Sequence, residues 1–164
     1  MSLVTYSLDS QQIPEYDYTE GFSFTNGGGT LSCVSEFAPI LMANYQYEMA
    51  EYIKSGIRIM TYNLTMGTMQ SGTVLQVFVT NHTSMYIING YLDVAHDQDI
   101  WTNHGYVQAQ NLTTNDTIFN VFTGHYTRVT SIQVEHGNFT MYDFYVSTNL
   151  DYIAWMNLMK DRFP

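Results

Sequence analysis

The sequence predicts an all-β domain, and three observations carry that prediction. After residue 33, apolar runs of strand length, rich in β-branched and aromatic residues, recur between Asn, Gly and Thr. Only residues 45–53 read as a helix, and that reading rests on a short stretch. A block of the chain also repeats itself, as tandem β units would.

Taken in order, residues 1–32 differ in texture from the rest. Glu15, Asp17 and Glu20 lie among tyrosines, and the stretch ends in Thr25-Asn26-Gly27-Gly28-Gly29-Thr30, a glycine run that holds no regular structure cheaply. These residues read as an upstream flanking segment with a Gly-rich link, and residues 33–164 as the folded domain, which Leu31-Ser32-Cys33-Val34 opens. Four runs read as strands: Val74-Leu75-Gln76-Val77-Phe78-Val79-Thr80, Met85-Tyr86-Ile87-Ile88, residues 126–134, and Met141-Tyr142-Asp143-Phe144-Tyr145-Val146. His136-Gly137-Asn138 between the last two reads as a hairpin loop. Residues 50–59 align without gaps on residues 109–118, sharing Ala, Ile or Leu, a turn residue and a final Ile. Leu75-Gln76-Val77 answers Ile132-Gln133-Val134 at nearly the same offset.

Composition narrows the function. The 164 residues suit one domain, since a single core serves about 100–200 residues. With 45% hydrophobic and 12% charged residues, the chain can bury a core. Five Lys and Arg against fifteen Asp and Glu give a net charge of −10, which argues against nucleic acid or an anionic membrane as partner, because both demand clustered positive charge. No apolar run approaches the roughly 18 residues that cross a bilayer, so a soluble chain is expected. One cysteine excludes an internal disulfide framework and any multi-Cys metal site, which leaves Cys33 to matter through its own reactivity. His82, His104, His125 and His136 show no pair at helical ligand spacing, so no metal is expected. Five N-x-S/T triplets, at Asn63, Asn81, Asn111, Asn115 and Asn138, stand against about two expected by chance, which Thr-rich strands explain equally well, and the compartment stays open.

Three blocks of residues resemble a known family. Cys33 followed by Ala38-Pro39-Ile40-Leu41-Met42-Ala43-Asn44 and by residues 52–63 is similar to the opening of a Hint domain, the self-processing module of inteins, bacterial intein-like domains and hedgehog C-terminal domains. Gly90-Tyr91-Leu92-Asp93-Val94-Ala95-His96, with Gly105-Tyr106-Val107-Gln108-Ala109 after it, resembles the family's TxxH block and the stretch that follows it. Met141-Tyr142-Asp143-Phe144-Tyr145-Val146 through Tyr152-Ile153-Ala154 resembles its closing block. The resemblance implies a pseudo-two-fold β horseshoe of two similar units, no cofactor, and the chain's own flanking polypeptide as substrate.

A thiol just after a peptide bond can attack the preceding carbonyl, here that of Ser32, and convert the Ser32–Cys33 amide into a thioester. The step is uphill until the amide nitrogen is protonated. His96, at the place of the TxxH histidine, is the implied acid, able to donate near neutral pH. A small nucleophile such as water, a thiol or an amine would then release the upstream segment. Asp143 matches the aspartate that resembles a coupling residue between the first and later steps. Asp93 stands where the family has threonine. Lys160 and Asp161 stand where it has its penultimate His and terminal Asn, Leu150 where its last block has His, and Arg162 where splicing members carry Cys, Ser or Thr. These departures imply single-turnover cleavage rather than full splicing.

Each assignment has a plainer rival. A cysteine between apolar neighbours is commonly a buried small hydrophobe, and aspartates beside strands commonly make turns. Cys33 with His96 could form a cysteine-protease dyad, but the local motifs of those families are absent. The alternative to self-processing is a quiet Hint scaffold that serves as a structural or interaction module.

Overall fold

A shift of 58 or 59 residues relates the two halves of the chain in the computed structural model, which describes residues 33–161. The flanking segment and glycine link read from residues 1–32 lie outside the described residues. The first half runs β1 (Val34–Ser35), β2 (Pro39–Leu41), β3 (Tyr47–Met49), a 3-10 turn (Ala50–Tyr52), β4 (Arg58–Asn63) and β5 (Thr68–Ile88). The second runs β6 (Leu92–Val94), β7 (Asp99–Thr102), β8 (Gly105–Gln108), a 3-10 turn (Ala109–Asn111), β9 (Thr117–Asn120), β10 (His125–Arg128) and β11 (Ile132–Val146). Two short strands close the chain, β12 (Asp151–Ala154) and β13 (Asn157–Lys160).

The matched residues 50–59 and 109–118 are the two 3-10 turns with the strands that follow them. Ala50 and Ala109 are fully buried where a larger side chain would meet the core, and each carbonyl accepts from the N–H three residues on, Ile53 at 3.1 Å and Leu112 at 3.2 Å. The halves join through their longest strands. Residues 74–88 of β5 pair antiparallel with residues 132–146 of β11, Val74 against Val146 and Ile88 against Ile132, so the 58-residue shift carries each paired stretch onto the other. β1 bonds both β6 and β11, and β5 also bonds both, which closes these four strands into a ring with β4 attached to β5. The other strands form an eight-stranded sheet in which β12 and β13 lie between β2 and β7. The main core includes Ile40, Ile53, Val77, Ile100, Phe144 and Tyr152. A smaller cluster of Cys33, Phe78, Ala95 and Met141 lies apart from it.

Three local expectations are corrected. Residues 45–53 are no helix: Tyr45 turns the chain at φ 67°, β3 pairs back on β2 with Leu41 opposite Tyr47, and only one 3-10 turn follows. Sheet pairing overrides a weak helical pattern. His136-Gly137-Asn138 is no hairpin loop, because β11 continues through it along β5. His136 faces Ser84 and Phe139 faces His82, so one extra residue is absorbed as a bulge, which a glycine tolerates. Residues 126–134 are two strands, since Arg128 pairs with Thr117 in one sheet and Ile132 with Ile88 in the other. At that crossing Asn89 Oδ1 accepts from the Thr130 N–H at 2.7 Å and the Ser131 N–H at 3.3 Å.

Candidate active site

Cys33 sits where the ring of strands begins. Val34 pairs with Val94 on one side and Tyr142 on the other, and continuing both registers by one residue brings Ala95 and Asp143 level with Cys33. The Ala95 N–H donates to the Cys33 carbonyl at 2.7 Å, which fixes His96 as the next residue along the adjoining chain. His96 is half-buried, and its carbonyl accepts from the Gln110 N–H at 2.8 Å, so the turn at residues 95–98 is held at its centre. Asp143 is fully buried. Its Oδ1 accepts from the Phe144 N–H at 2.9 Å and from the Tyr152 hydroxyl at 3.5 Å.

The Cys33 sulfur is fully buried and 3.6 Å from Thr80 Oγ1, which lies 3.0 Å from His82 Nε2. Thr80 and His82 share the inward face of β5, as alternate residues of a strand do. Burial holds the His82 ring below the ordinary histidine range. The charge of Asp97 opposes that and the charge of His96 adds to it. Asp93, paired with Ile87 in the sheet, is half-buried, and burial followed by the charge of Glu135 raises its carboxyl.

Lys160 and Asp161 adjoin the same centre through Tyr152, whose buried hydroxyl feels the charges of Asp143, Cys33 and Asp161. Asp161 is buried, its Oδ2 accepting from the Val146 N–H at 3.2 Å and its own N–H donating to the Leu150 carbonyl at 3.2 Å. Lys160 pairs with Asp151 across the closing hairpin and holds Nζ 5.9 Å from the centre of the Tyr106 ring. Asp151 is buried with Oδ1 accepting from the Tyr62 N–H at 2.9 Å. Burial pushes its carboxyl up to about 8, with the Tyr62 hydrogen bond opposing and Asp161 adding. A cavity of about 370 Å³ opens here, lined by residues including Tyr62, Tyr106, Asp151 and Lys160. One hydrogen-bonded path joins the regions: Gln98 Nε2 donates to the Lys160 carbonyl at 3.0 Å, and the Tyr152 hydroxyl donates to Gln98 Oε1 at 3.1 Å and more weakly to Asp143.

Of the residues singled out in the sequence, Cys33, His96, Asp93 and Asp143 gather at one end of the ring, and Lys160 and Asp161 stand at the other end of this path. Ser32 lies outside the described residues. Thr80, His82, Gln98 and Tyr152 escaped the sequence reading. Strand parity puts Phe78, Thr80 and His82 on one face, but the run is apolar on both faces and does not say which lies inward. Among the described residues no group of three His, Cys, Asp or Glu side chains is arranged to hold a metal ion.

No family model matches the sequence, and no curated protein does. Solved structures do. A DnaB intein from Synechocystis sp. PCC 6803 superposes with a TM-score of 0.70 at 15% identity, over 79% of this chain and 98% of its own. A bacterial intein-like domain from Clostridium thermocellum gives 0.71 at 21% identity, over 81% and 99%. The TvoVMA intein gives 0.66 at 19% identity, over 78% and 96%. At such identities the likeness is one of fold, and its extent over nearly the whole of each relative leaves one assignment: the described chain has the Hint fold of inteins and bacterial intein-like domains.

Proposed function

We propose that the chain is a single-turnover self-processing domain that cleaves its own Ser32–Cys33 peptide bond. The Cys33 sulfur attacks the Ser32 carbonyl carbon and forms a five-membered ring. His96 delivers a proton to the Cys33 nitrogen, and the C–N bond breaks to leave a thioester and a free Cys33 amino group. A nucleophile from solution, whether water, a thiol or an amine, then takes the acyl group and frees the thiol. The observation that carries this reading is the 2.7 Å bond from the Ala95 N–H to the Cys33 carbonyl, which sets the candidate acid one residue beyond the contact that clamps the candidate nucleophile. The Hint fold supports it. At the far end, a carboxylate at Asp161 is a much poorer cyclising nucleophile than an asparagine amide, so cleavage without ligation is the outcome assigned.

The test is incubation of the purified chain with dithiothreitol or hydroxylamine and measurement of intact mass. Two fragments split between residues 32 and 33 are expected, with no ligated product, and Cys33→Ala abolishes them. A second reading, the quiet scaffold, draws on the sulfur's burial against Phe78, Ala95 and Met141. It requires that no fragments appear after long incubation at neutral and mildly alkaline pH.

A further inference from the structure

We infer that Thr80 and His82 form a proton relay that ionises the Cys33 thiol, with Thr80 as a catalytic residue touching the sulfur and His82 as a positioning residue acting through it. The inference rests on the self-processing reading, because it supplies what that reading lacks: a base for the thiol as well as an acid for the leaving nitrogen. A thiol attacks carbonyl carbon as its thiolate. One imidazole can serve in turn as base for the sulfur and acid for the nitrogen, but two in separate places let the acid stay loaded while the base is empty.

The geometry runs Cys33 Sγ to Thr80 Oγ1 at 3.6 Å, then Thr80 Oγ1 to His82 Nε2 at 3.0 Å. With the ring proton on Nδ1, His82 Nε2 accepts from the Thr80 hydroxyl, whose oxygen is then free to accept from the Cys33 S–H. In the transfer the S–H bond breaks and its proton goes to Thr80 Oγ1, while the hydroxyl proton of Thr80 moves to His82 Nε2. The products are a thiolate, an intact threonine hydroxyl and an imidazolium. Four placements bear on this transfer. His82 is 9% exposed, and burial favours its neutral form, which has a ring nitrogen able to accept a proton. Asp97 stands near enough to stabilise the imidazolium once formed. Among the described residues His82 is also faced by His96, from the same turn as Asp97, and on β11 by the apolar Phe139 directly opposite, with His136 and Asp143 the flanking ionisable residues of that strand. The sulfur's apolar neighbours, Phe78, Ala95 and Met141, keep bulk water from competing as the base.

The test is the pH–rate profile of fragment release by hydroxylamine, from about pH 6 to pH 9.5, for the full chain and for His82→Gln, Thr80→Val and Thr80→Ser. At neutral pH His82→Gln and Thr80→Val are expected to be slower by about tenfold to a hundredfold. The gap closes to about twofold at the alkaline end, where solvent alone ionises the thiol. Thr80→Ser, which keeps the hydroxyl, recovers most of what Thr80→Val loses. A deficit of the same size at every pH would make the pair merely structural and overturn the relay, as would no deficit. The thiolate absorbance near 240 nm gives a reading independent of cleavage, with each protein's Cys33→Ala counterpart subtracted to remove tyrosine. Its ionisation midpoint is expected to rise by about one pH unit in His82→Gln, and coincident titrations would overturn the relay. A wild-type chain that yields no fragments defeats the self-processing reading, and the titration still decides the relay.

Discussion

The surroundings of Cys33 and those of Asp161 meet at Tyr152 and are both buried and acidic, yet they differ in the titratable groups they hold. Around Cys33 stand Thr80, His82, His96 and Asp143, so two imidazoles lie near one thiol. Around Asp161 stand Asp151, Tyr106 and Lys160, with Leu150 at the place where the resemblance would put a histidine. Imidazoles exchange protons near pH 7. Two neighbouring buried carboxyls instead resist ionising together, and a tyrosine pushed far above its usual range by burial stays a passive donor. Pseudo-symmetry built the frame twice, but the histidines stand around Cys33 and not around Asp161.

The largest effect that would break this comparison belongs to His96. If the Cys33 end works as an acid-assisted acyl shift, His96→Ala lowers the rate of fragment release at neutral pH by about a hundredfold or more. Release within about threefold of the wild-type rate would remove His96 as the acid and, with it, the asymmetry between the ends.

The next effect is thermodynamic and lies at the Asp161 end. The Asp151 carboxyl is pushed up to about 8 in the folded chain, from an ordinary value of 3.8. Between those values the folded state holds a proton that the unfolded chain has released. The stabilisation is therefore complete below about pH 4 and is lost as pH rises toward 8. Its ceiling is of the order of 5 kcal/mol, and a few kcal/mol is the expected size. Asp151→Asn keeps the oxygen that accepts from the Tyr62 N–H and removes the titration. Urea unfolding at pH 5.5 and pH 8 should show the wild-type chain losing stability relative to this variant as pH rises. Parallel pH dependences would mean that Asp151 is ionised throughout, and the contrast between the ends would have to be redrawn.

Legibility followed range along the chain. The β class and the duplicated units were readable, because Ala50 and Ala109 each need a small residue inside a turn, and Ile53 and Leu112 an apolar one after it. Cys33 and His96 were singled out from local blocks, and the Ala95 to Cys33 contact brings their backbones close. What depended on a distant partner was not. Gly137 reads as a loop until the unbroken face of β5 is laid beside it. Residues 129–131 read as strand until Arg128 and Ile132 are assigned to different sheets. His82 and Thr80 reach the sulfur only through the parity of a 21-residue strand, and no local signal says which parity faces inward. Tyr152 and Gln98 lie 54 positions apart and meet only because β13 pairs with both β12 and β7.

The smallest effect sharpens the comparison at the link between the ends. Tyr152→Phe removes the hydroxyl that donates to Gln98 Oε1 and, more weakly, to Asp143 Oδ1, both in fully buried side chains. Asp143 keeps its bond from the Phe144 N–H, so the loss falls mainly on Gln98, and a cost of about 1–2 kcal/mol is expected. Burial, and after it the charge of Asp143, hold the Tyr152 hydroxyl well above the ordinary tyrosine range, so it stays protonated throughout neutral pH. The destabilisation measured by urea unfolding should therefore be equal at pH 6 and pH 8, unlike the pH-dependent response of Asp151→Asn. A cost that grows between those values would mean that Tyr152 is coupled to a group titrating in that window. Asp151 and His82 would then no longer report on separate ends, because the bridge through Gln98 would be carrying charge from one to the other.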